Sequence, residues 1–477
     1  MLPVMFVGAL VILLGELPEF YSFNLDVDHS PVKTGPKNSF FGLSVTGQRL
    51  LHQEVRSSRL LVGAPLSTRD GGPLNATGDL YRCPLTMKSD DCQRVPIDDN
   101  LNPQESQWLG VSVDSQGLGG LVVTCAHRWE KRRNVGEYNM EQHNQLGRCF
   151  LMNQDLKMPE SNYFTRPSTV CEGRGSGHAE YGMCQQGITA GFVRGTDLLY
   201  YGAPGALTWT GMVWVRRIHQ DHGNIEDEKE TDVRKKVNVT FNSYMGFSVT
   251  GSYGLTQKNQ YTMVAGIPRV NHTGAVVLLE PDVKYLVEKI LLVGFQIASG
   301  FGYSLAVADF NADTWMDLVV GAPNYLDKSG EVGGAVYVFI NNGGSFAQMK
   351  YVRLSGKTNS MFGLAVARLG DQDLDGFEAD PQAPDVSAQL QHWLSLLTSY
   401  LGAQEGLTDA TRLAVLNSRV SHIVYTYISQ CATYAAAEEE LRRIYIKTLS
   451  VVYTRYLHAS RRQDPSEAID HFVQELR

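Results

Sequence analysis

The sequence lacks the features of nucleic-acid-binding proteins and of the common enzyme classes. Its 42 Lys and Arg residues are outnumbered by 50 Asp and Glu, which gives a net charge of −8, whereas nucleic-acid binders usually carry a basic patch. It also has no Gly-x-Ser-x-Gly elbow, no phosphate-binding glycine loop and no His-Glu-x-x-His pair. We therefore expect neither nucleic-acid binding nor enzymatic activity.

Long apolar runs are also missing. The run at residues 2–15 is shorter than the roughly 20 residues that a transmembrane helix needs, and it is typical of the core of a signal peptide. No other stretch approaches the length of a membrane helix. We expect a signal peptide at residues 1–22, entry into the secretory pathway and no membrane span in this chain.

What the sequence does contain is a repeated pattern. A Gly-Ala-Pro or Gly-Ile-Pro motif follows a short apolar run four times, and in three units a Phe-Gly or Met-Gly-Phe signature comes before it. Gly and Pro end a strand, so each unit predicts a small sheet that turns at the same place. Such a sheet buries too little apolar surface alone, which favours stacking of the units as blades of a β-propeller. A β-sandwich is the alternative, but it does not explain the recurring Phe-Gly. The motifs lie at 62–65, 201–204, 265–268 and 320–323, and the signatures at 41–42, 245–247 and 301–302.

These signatures, together with longer strings, resemble the integrin alpha subunits of the laminin-binding group. The resemblance covers residues 23 to about 378, with five units and the start of a sixth, whereas the propeller of that family has seven blades. It implies a mainly β fold: an incomplete FG-GAP β-propeller of about five to six of the seven blades, followed by an all-α C-terminal segment. The strings lie at 107–113, 123–128, 202–205, 242–248 and 299–309.

Cysteines and sequons agree with a secreted or surface protein. Six of the seven cysteines fall in neighbouring pairs that close short loops, as local disulfides do in secreted proteins, and the integrin resemblance implies the same pairing. No Cys-x₂-Cys occurs, which argues against zinc. Three Asn-x-Ser/Thr sequons predict glycosylation of surface loops. The pairs are Cys83 with Cys92, Cys125 with Cys149 and Cys171 with Cys184, and the sequons are at Asn75, Asn238 and Asn271.

An acidic loop at residues 309–317 is the clearest candidate site. It places oxygen side chains at its first, third, fifth and ninth positions, and a main-chain carbonyl is available at the seventh. Several carboxylates with a carbonyl select Ca²⁺ over zinc or copper. The integrin blade loop usually has Gly at the sixth position, where this chain has Thr314, so we expect weakened affinity. An acidic turn without an ion is the alternative. The predicted ligands are Asp309, Asn311, Asp313, the carbonyl of Trp315, and Asp317.

A second acidic loop begins at residue 371. Its sixth position is Gly376, as in the family, but its ninth is Ala379 where the family has Asp, and Asp380 is one residue out of phase. The loss of a closing carboxylate predicts a severe loss of Ca²⁺ affinity here. The candidate ligands are Asp371, Asp373, Asp375 and the carbonyl of Phe377.

The pattern changes near residue 378. Glycine-rich turns disappear and apolar residues recur at helical spacing, which predicts helices at about 386–402, 409–432, 434–460 and 465–476, with Asp409 as an N-cap. We predict three regions: a signal peptide, an integrin-alpha-like propeller and a helical segment of unknown family. A junction produced by splicing, engineering or a faulty gene model would explain the change. The regions are 1–22, 23–378 and 379–477.

The resemblance implies a cell-adhesion receptor subunit. It would pair with a beta subunit, beta-1 in the first place, and bind laminin-type extracellular matrix in a divalent-cation-dependent way, either at the cell surface in an integrin complex or as a secreted chain. In the family, the connection between blades three and four tunes ligand choice. That connection is about 205–241 here and includes Trp209 and Trp214. The alternatives are a soluble or non-functional truncated or fusion product, and a separate scaffold role of the helical segment.

Overall fold

A computed structural model describes most of the repeat region and two helices after it. The predicted signal peptide, the second acidic loop and most of the predicted helical segment lie outside the described residues. The described ranges are 31–52, 55–68, 76–97, 103–136, 140–158, 169–218, 225–231, 237, 239–310, 313–327, 330, 332–346, 351–368, 408–419, 429 and 431–445.

The repeat region forms five successive units of antiparallel strands, which we call units 1 to 5. Units 3 and 4 belong to one eight-stranded sheet, because their last strands pair in parallel. Unit 1 contains β1 (Ser44–His52), β2 (Val55–Ala64), β3 (Asp79–Pro84) and β4 (Gln93–Val95), and unit 2 contains β5 (Leu109–Ser115), β6 (Val122–Ala126) and β9 (Arg148–Met152) with the hairpin β7 (Glu130–Arg133) and β8 (Gln142–Gln145). Unit 3 contains β10 (Ala190–Phe192), β11 (Leu198–Ala203), β12 (Met212–Ile218) and β13 (Ile225–Thr231). Unit 4 contains β14 (Val249–Tyr253), β15 (Tyr261–Ile267), β16 (Ala275–Pro281) and β17 (Tyr285–Val293), and unit 5 contains β18 (Ser304–Ala308), β19 (Asp317–Leu326), β20 (Val332–Phe339) and β21 (Tyr351–Lys357).

Neighbouring units pack face to face. The first strand of unit 2, β5, contacts β1 of unit 1 and β10 of unit 3, and β14 of unit 4 contacts β10 and β18. A separate apolar core fills each space between neighbours: Leu61 packs with Val122, and Val264 packs in the same cluster as Val320. The expectation of a mainly β chain is confirmed. A sandwich of two sheets does not account for cores between four successive pairs of sheets.

The two repeated signatures meet where one unit packs on the next. We call the glycine of Gly-Ala-Pro or Gly-Ile-Pro the closing glycine and the glycine at the Phe-Gly position, which is Gly110 in unit 2 and Gly187 in unit 3, the opening glycine. A Cβ added to closing Gly266 would lie 1.9 Å from the carbonyl oxygen of opening Gly302 in the next unit. The same close approach joins Gly63 to Gly110. A side chain at Gly63 or Gly266 would therefore push the neighbouring units apart.

A serine two residues after the opening glycine completes this joint. Its hydroxyl donates to the carbonyl oxygen of the next unit's opening glycine, as Ser248 does to Gly302 at 2.7 Å and Ser304 to Gly363 at 2.8 Å. Unit 3 has Thr189 at this place, and its hydroxyl donates to the carbonyl of Phe247. The repeated sequence pattern thus encodes both sides of one inter-unit contact.

Two helices are described in the C-terminal region, α2 (Asp409–Arg419) and α3 (Tyr434–Tyr445), after a short helical turn, α1 (Ala206–Trp209), in unit 3. Both start where the helical spacing predicts. The cap of α2 differs from the prediction, since the Thr408 hydroxyl accepts the amide of Thr411. Asp409 instead accepts the amide of Tyr434 at the start of α3. Among the described residues, no helix is long and apolar enough to cross a membrane.

Candidate functional site

The cation loop, residues 309–317, connects the first two strands of unit 5. Asp309 follows β18 directly and Asp317 begins β19, since Ala308 is the β-ladder partner of Asp317. The carboxylate of Asp309 accepts the amides of Asp313 at 3.3 Å and Thr314 at 2.8 Å. Asp313 accepts the amide of Trp315 at 2.7 Å. The loop is therefore curled around its own carboxylates.

Asp317 is fully buried at the base of this loop. Its two carboxylate oxygens accept the amides of Phe310 at 2.8 Å and Asn341 at 2.7 Å. Burial, together with the neighbouring carboxylates of Asp309 and Asp313, raises the pKa of Asp317 to about 7, although the two amide bonds act in the opposite direction. A buried carboxyl group whose charge is disfavoured by two neighbouring carboxylates belongs to a donor set that a hard cation stabilises.

The predicted cage is only partly within the described residues. Asn311 lies outside them, as do all four candidate ligands of the second loop. Over the ranges that the structure covers, no three His, Cys, Asp or Glu side chains converge in a metal-binding arrangement. The side chains of Asp309 and Asp313 point to loop amides instead. The residue types fit Ca²⁺, and the described carboxylates lie near one another without coordinating geometry.

Asn341 holds the base of the loop, and sequence reasoning missed it. Its side chain is buried and its amide group donates to the carbonyls of Leu255 at 2.8 Å and Met316 at 2.9 Å. Its side-chain oxygen accepts the amide of Gly344. Asn341 thereby fixes Asp317 to both unit 5 and unit 4. The only local signal is a turn-forming Asn-Asn-Gly-Gly after β20.

The two tryptophans proposed for ligand choice lie in different surroundings. Trp214 is on β12 and only 6% exposed, packed in the core between units 2 and 3 with the guanidinium of Arg174 at 4.6 Å from its ring centre. This placement does not support direct contact with a ligand. Trp209 is half-buried and ends a left-handed stretch that starts at Leu207. Its ring stacks on His178 with centres 6.4 Å apart.

Trp209 belongs to a row of aromatic and basic side chains on one side of the sheets. Its carbonyl accepts the amide of Tyr244 at 2.9 Å. The guanidinium of Arg269 lies 5.1 Å from the ring centre of Tyr244 and donates to its hydroxyl. We call His178, Trp209, Tyr244 and Arg269 the aromatic row. It joins the loops before β14 and after β15 to unit 3.

Comparison with known proteins places these features in a family. Residues 301–339, which contain the cation loop, match the FG-GAP repeat. The chain is 44% identical over 382 residues to integrin alpha-7 of Rattus norvegicus, 41% identical to integrin alpha-6 of Gallus gallus and 37% identical to integrin alpha-3 of Cricetulus griseus. The chain is a homologue of the integrin alpha subunits. These three proteins belong to the laminin-binding group that the sequence strings indicate.

This integrin alpha homologue spans about a third of the length of the curated relatives it matches. The alignments cover 78%, 80% and 78% of the chain, and 33%, 36% and 35% of the three relatives. The alpha-7 subunits of Mus musculus and Homo sapiens match over similar shares.

The integrin alpha homologue contains three disulfides among the described residues, and they join the pairs expected from the sequence. Cys125 stands where other units have the closing glycine, and its partner Cys149 is directly opposite on β9. A Cβ on Gly187 of the next unit would lie 2.4 Å from the Cβ of Cys125. This disulfide therefore replaces the closing glycine at the joint between units 2 and 3.

One of the three sequons lies within the described residues. Asn271 is exposed in a 3₁₀ turn, Val270–His272, between β15 and β16. An exposed turn of this kind can accept a glycan without loss of packing. Asn75 and Asn238 lie outside the described residues.

Proposed function

We propose that this chain is a cell-adhesion receptor subunit that pairs with an integrin beta subunit and binds laminin-type extracellular matrix. The observation that carries the proposal is the identity of 37–44% to alpha-3, alpha-6 and alpha-7 subunits over 77–78% of the chain. Joints between units that are built from the same two signatures support it. Beta-1 is the partner we expect first.

The proposal includes a propeller fold for residues 23–378. Five units follow one another, and the carbonyl oxygen of Gly363, the opening glycine of a sixth unit, already accepts the hydroxyl of Ser304. This order supports five to six of the seven blades of the family. The division into a signal peptide at 1–22, the propeller and a helical segment at 379–477 remains part of this proposal.

We assign Ca²⁺ to the cation loop, with Asp309, Asn311, Asp313, the Trp315 carbonyl and Asp317 as ligands. When bound, the ion would neutralise the carboxylates that surround the start of β19. The buried carboxylate of Asp317 accepts two main-chain amides and would hold the ion-binding loop against the sheet. The loop at 371–377 is assigned as a weaker second site.

The aromatic row is the surface that we assign to ligand choice. Trp209 and His178 present stacked rings beside Tyr244 and Arg269, and aromatic and arginine side chains are enriched at binding hot spots. Trp214 would act behind this surface, by packing the sheet that carries it. The proposal places the protein in the secretory pathway and at the cell surface in a complex with its partner. No described contact favours the alternative of a non-functional fusion product.

Co-expression with a beta subunit tests this proposal. The full chain is expressed in a secretory cell with and without integrin beta-1, and surface and medium are probed for a co-precipitating, glycosylated complex. Capture of the complex and laminin binding that EDTA abolishes would support the function. A chain that is never captured by a beta subunit would contradict it. The variant Trp209→Ala is expected to keep pairing and to weaken laminin binding.

A further inference from the structure

The cation loop is held from outside by unit 4. The amide of Met316 donates to the carbonyl of Gly254 at 2.9 Å. The ammonium of Lys258, from the same turn of unit 4, donates to both the carbonyl and the hydroxyl of Thr314. It also lies 4.3 Å from the ring centre of Trp315. One side chain thus contacts two consecutive loop residues.

Thr314 lies at a backbone position where glycine would be less strained than threonine. Its φ is +68°, in the left-handed region, which a β-branched residue rarely adopts. Glycine adopts this conformation at no steric cost. A loop that carries Thr at this position needs an additional contact to hold the same backbone, and Lys258 makes two hydrogen bonds to this residue.

The contact of Lys258 is linked to the predicted ligand Asp313 through one rigid peptide group. The peptide between Thr314 and Trp315 is planar and trans, so its carbonyl and its N–H point in opposite directions. The carbonyl accepts Lys258, and the N–H donates to the carboxylate of Asp313 at 2.7 Å. Fixing the carbonyl end therefore fixes the hydrogen bond that positions Asp313.

We propose that Lys258 is a positioning residue of the cation loop, which holds the Thr314–Trp315 peptide from the neighbouring unit and so compensates for the missing glycine. This inference rests on the proposed cation binding by the loop. A positioning role of Lys258 predicts a different change in cation binding from that of a nearby positive charge alone. A charge that only repels the ion would strengthen binding when removed, whereas loss of a positioning contact weakens binding.

The test is a Tb³⁺ titration of the full chain, with luminescence sensitised by Trp315. Lys258→Met is expected to weaken binding about fivefold, the equivalent of one hydrogen bond, and Lys258→Arg to keep most of the affinity. In a Thr314→Gly background, which has no strained threonine to hold, the effect of Lys258→Met should fall below about twofold. Lys289→Met, a lysine change on β17 of the same unit, is the control, and Trp315→Phe identifies the loop signal.

A second readout does not depend on the ion. In EDTA, Lys258→Met should speed hydrogen exchange of the Thr314 and Trp315 amides, because the peptide is no longer held. If Lys258→Met binds Tb³⁺ as tightly as the parent or more tightly, or if the exchange is unchanged, the role of Lys258 is wrong while the cation site stands. If the parent chain shows no Trp315-sensitised binding, the cation site itself is wrong and this inference fails with it.

Discussion

The turn of unit 3 and the cation loop of unit 5 occupy the same place in the repeat, between the first two strands of a sheet, but different groups hold them. In unit 3 the hydroxyl of Thr196 donates to the carbonyl of Val193 at 2.6 Å and accepts the amide of Leu198 at 3.0 Å. A neutral side chain therefore closes that turn. In unit 5 three carboxylates hold the loop, and one of them is buried. The joints that the units share hold the sheets together, whereas the turn between the first two strands differs between units and in unit 5 contains the candidate cation ligands.

Disrupting the contact between a closing and an opening glycine should have the largest effect on stability. Units 3 and 5 both pack on their neighbours through such joints, whereas each turn belongs to one unit alone. Gly266→Val places a side chain against the carbonyl of Gly302, where even a Cβ would lie 1.9 Å away. We expect a loss of about 3 kcal/mol or more in the free energy of unfolding, and little secreted protein. The measurement is the yield of secreted chain and its thermal unfolding.

Gly47→Ala is the matched control for this change. A Cβ at Gly47, on the exposed side of β1, would meet no atom within 4 Å. Secretion of Gly266→Val at the level of Gly47→Ala would show that the close glycine contact does not hold the units together.

Asp317 should make the stability of unit 5 depend on pH when no cation is present. Its folded pKa of about 7 lies above the value of about 3.9 for an unfolded chain. The folded state therefore binds the extra proton, and the stabilisation is present below about pH 4 and is lost as the pH rises through 7. The difference of about three pKa units corresponds to roughly 4 kcal/mol.

The measurement is the unfolding temperature in EDTA between pH 5 and 8. It should fall in the parent and stay more nearly constant in Asp317→Asn, and added Ca²⁺ should reduce the parent's fall. Asp197→Asn, at the turn of unit 3, serves as the control and should keep the parent's slope. Equal slopes in the parent and Asp317→Asn would mean that this carboxyl does not titrate near neutral pH.

Asn341→Ala tests how the base of the loop is fixed. The change removes the side-chain donors to Leu255 and Met316 and leaves their buried carbonyls without this partner. We expect a loss of about 2 kcal/mol in the free energy of unfolding and weaker cation binding, since the chain around Asp317 is no longer held. Asn342→Ala, an exposed neighbour, should change neither. Similar unfolding curves for the two variants would contradict the assignment.

Substitution of the two tryptophans distinguishes packing from ligand recognition. The smallest effect on stability is expected at Trp209. Trp214→Ala should cost about 3 kcal/mol or more, because the side chain is buried between units 2 and 3. Trp209→Ala should change stability by less than about 1 kcal/mol and reduce laminin binding by the beta-1 complex. Chemical denaturation and a solid-phase laminin assay measure the two properties. A Trp209→Ala complex with unchanged laminin affinity would remove the aromatic row from ligand choice.

Much of the fold could be predicted from the sequence because its signals are local. The Gly-Ala-Pro or Gly-Ile-Pro motif ends β2, β11 and β15 as predicted, whereas β19 runs past its motif to Leu326 with a register shift after Ala322. The cysteine pairs lie within 9 to 24 residues of each other. Thr314, where the resembled loop usually has glycine, has a left-handed backbone that glycine adopts readily. In each case the residues that decide the structure are near neighbours along the chain.

The site depended more on contacts between distant residues. Lys258 reaches Thr314 from 56 positions away, and Asn341 reaches Leu255 from 86. Nothing in the spacing of either residue distinguishes it from a solvated loop side chain. The opposite surroundings of Trp209 and Trp214 were equally hidden, because the two residues lie only five positions apart in one connection.

The sequence by itself determined the repeated β unit, the disulfide pairs and the acidic loop, since strand ends, short covalent loops and ligand spacing are properties of consecutive residues. The tertiary structure decided which glycines meet, which tryptophan is buried and which side chains hold the cation loop. Those contacts join neighbouring units through close packing, and close packing is a property of surfaces that come together only when the whole repeat folds.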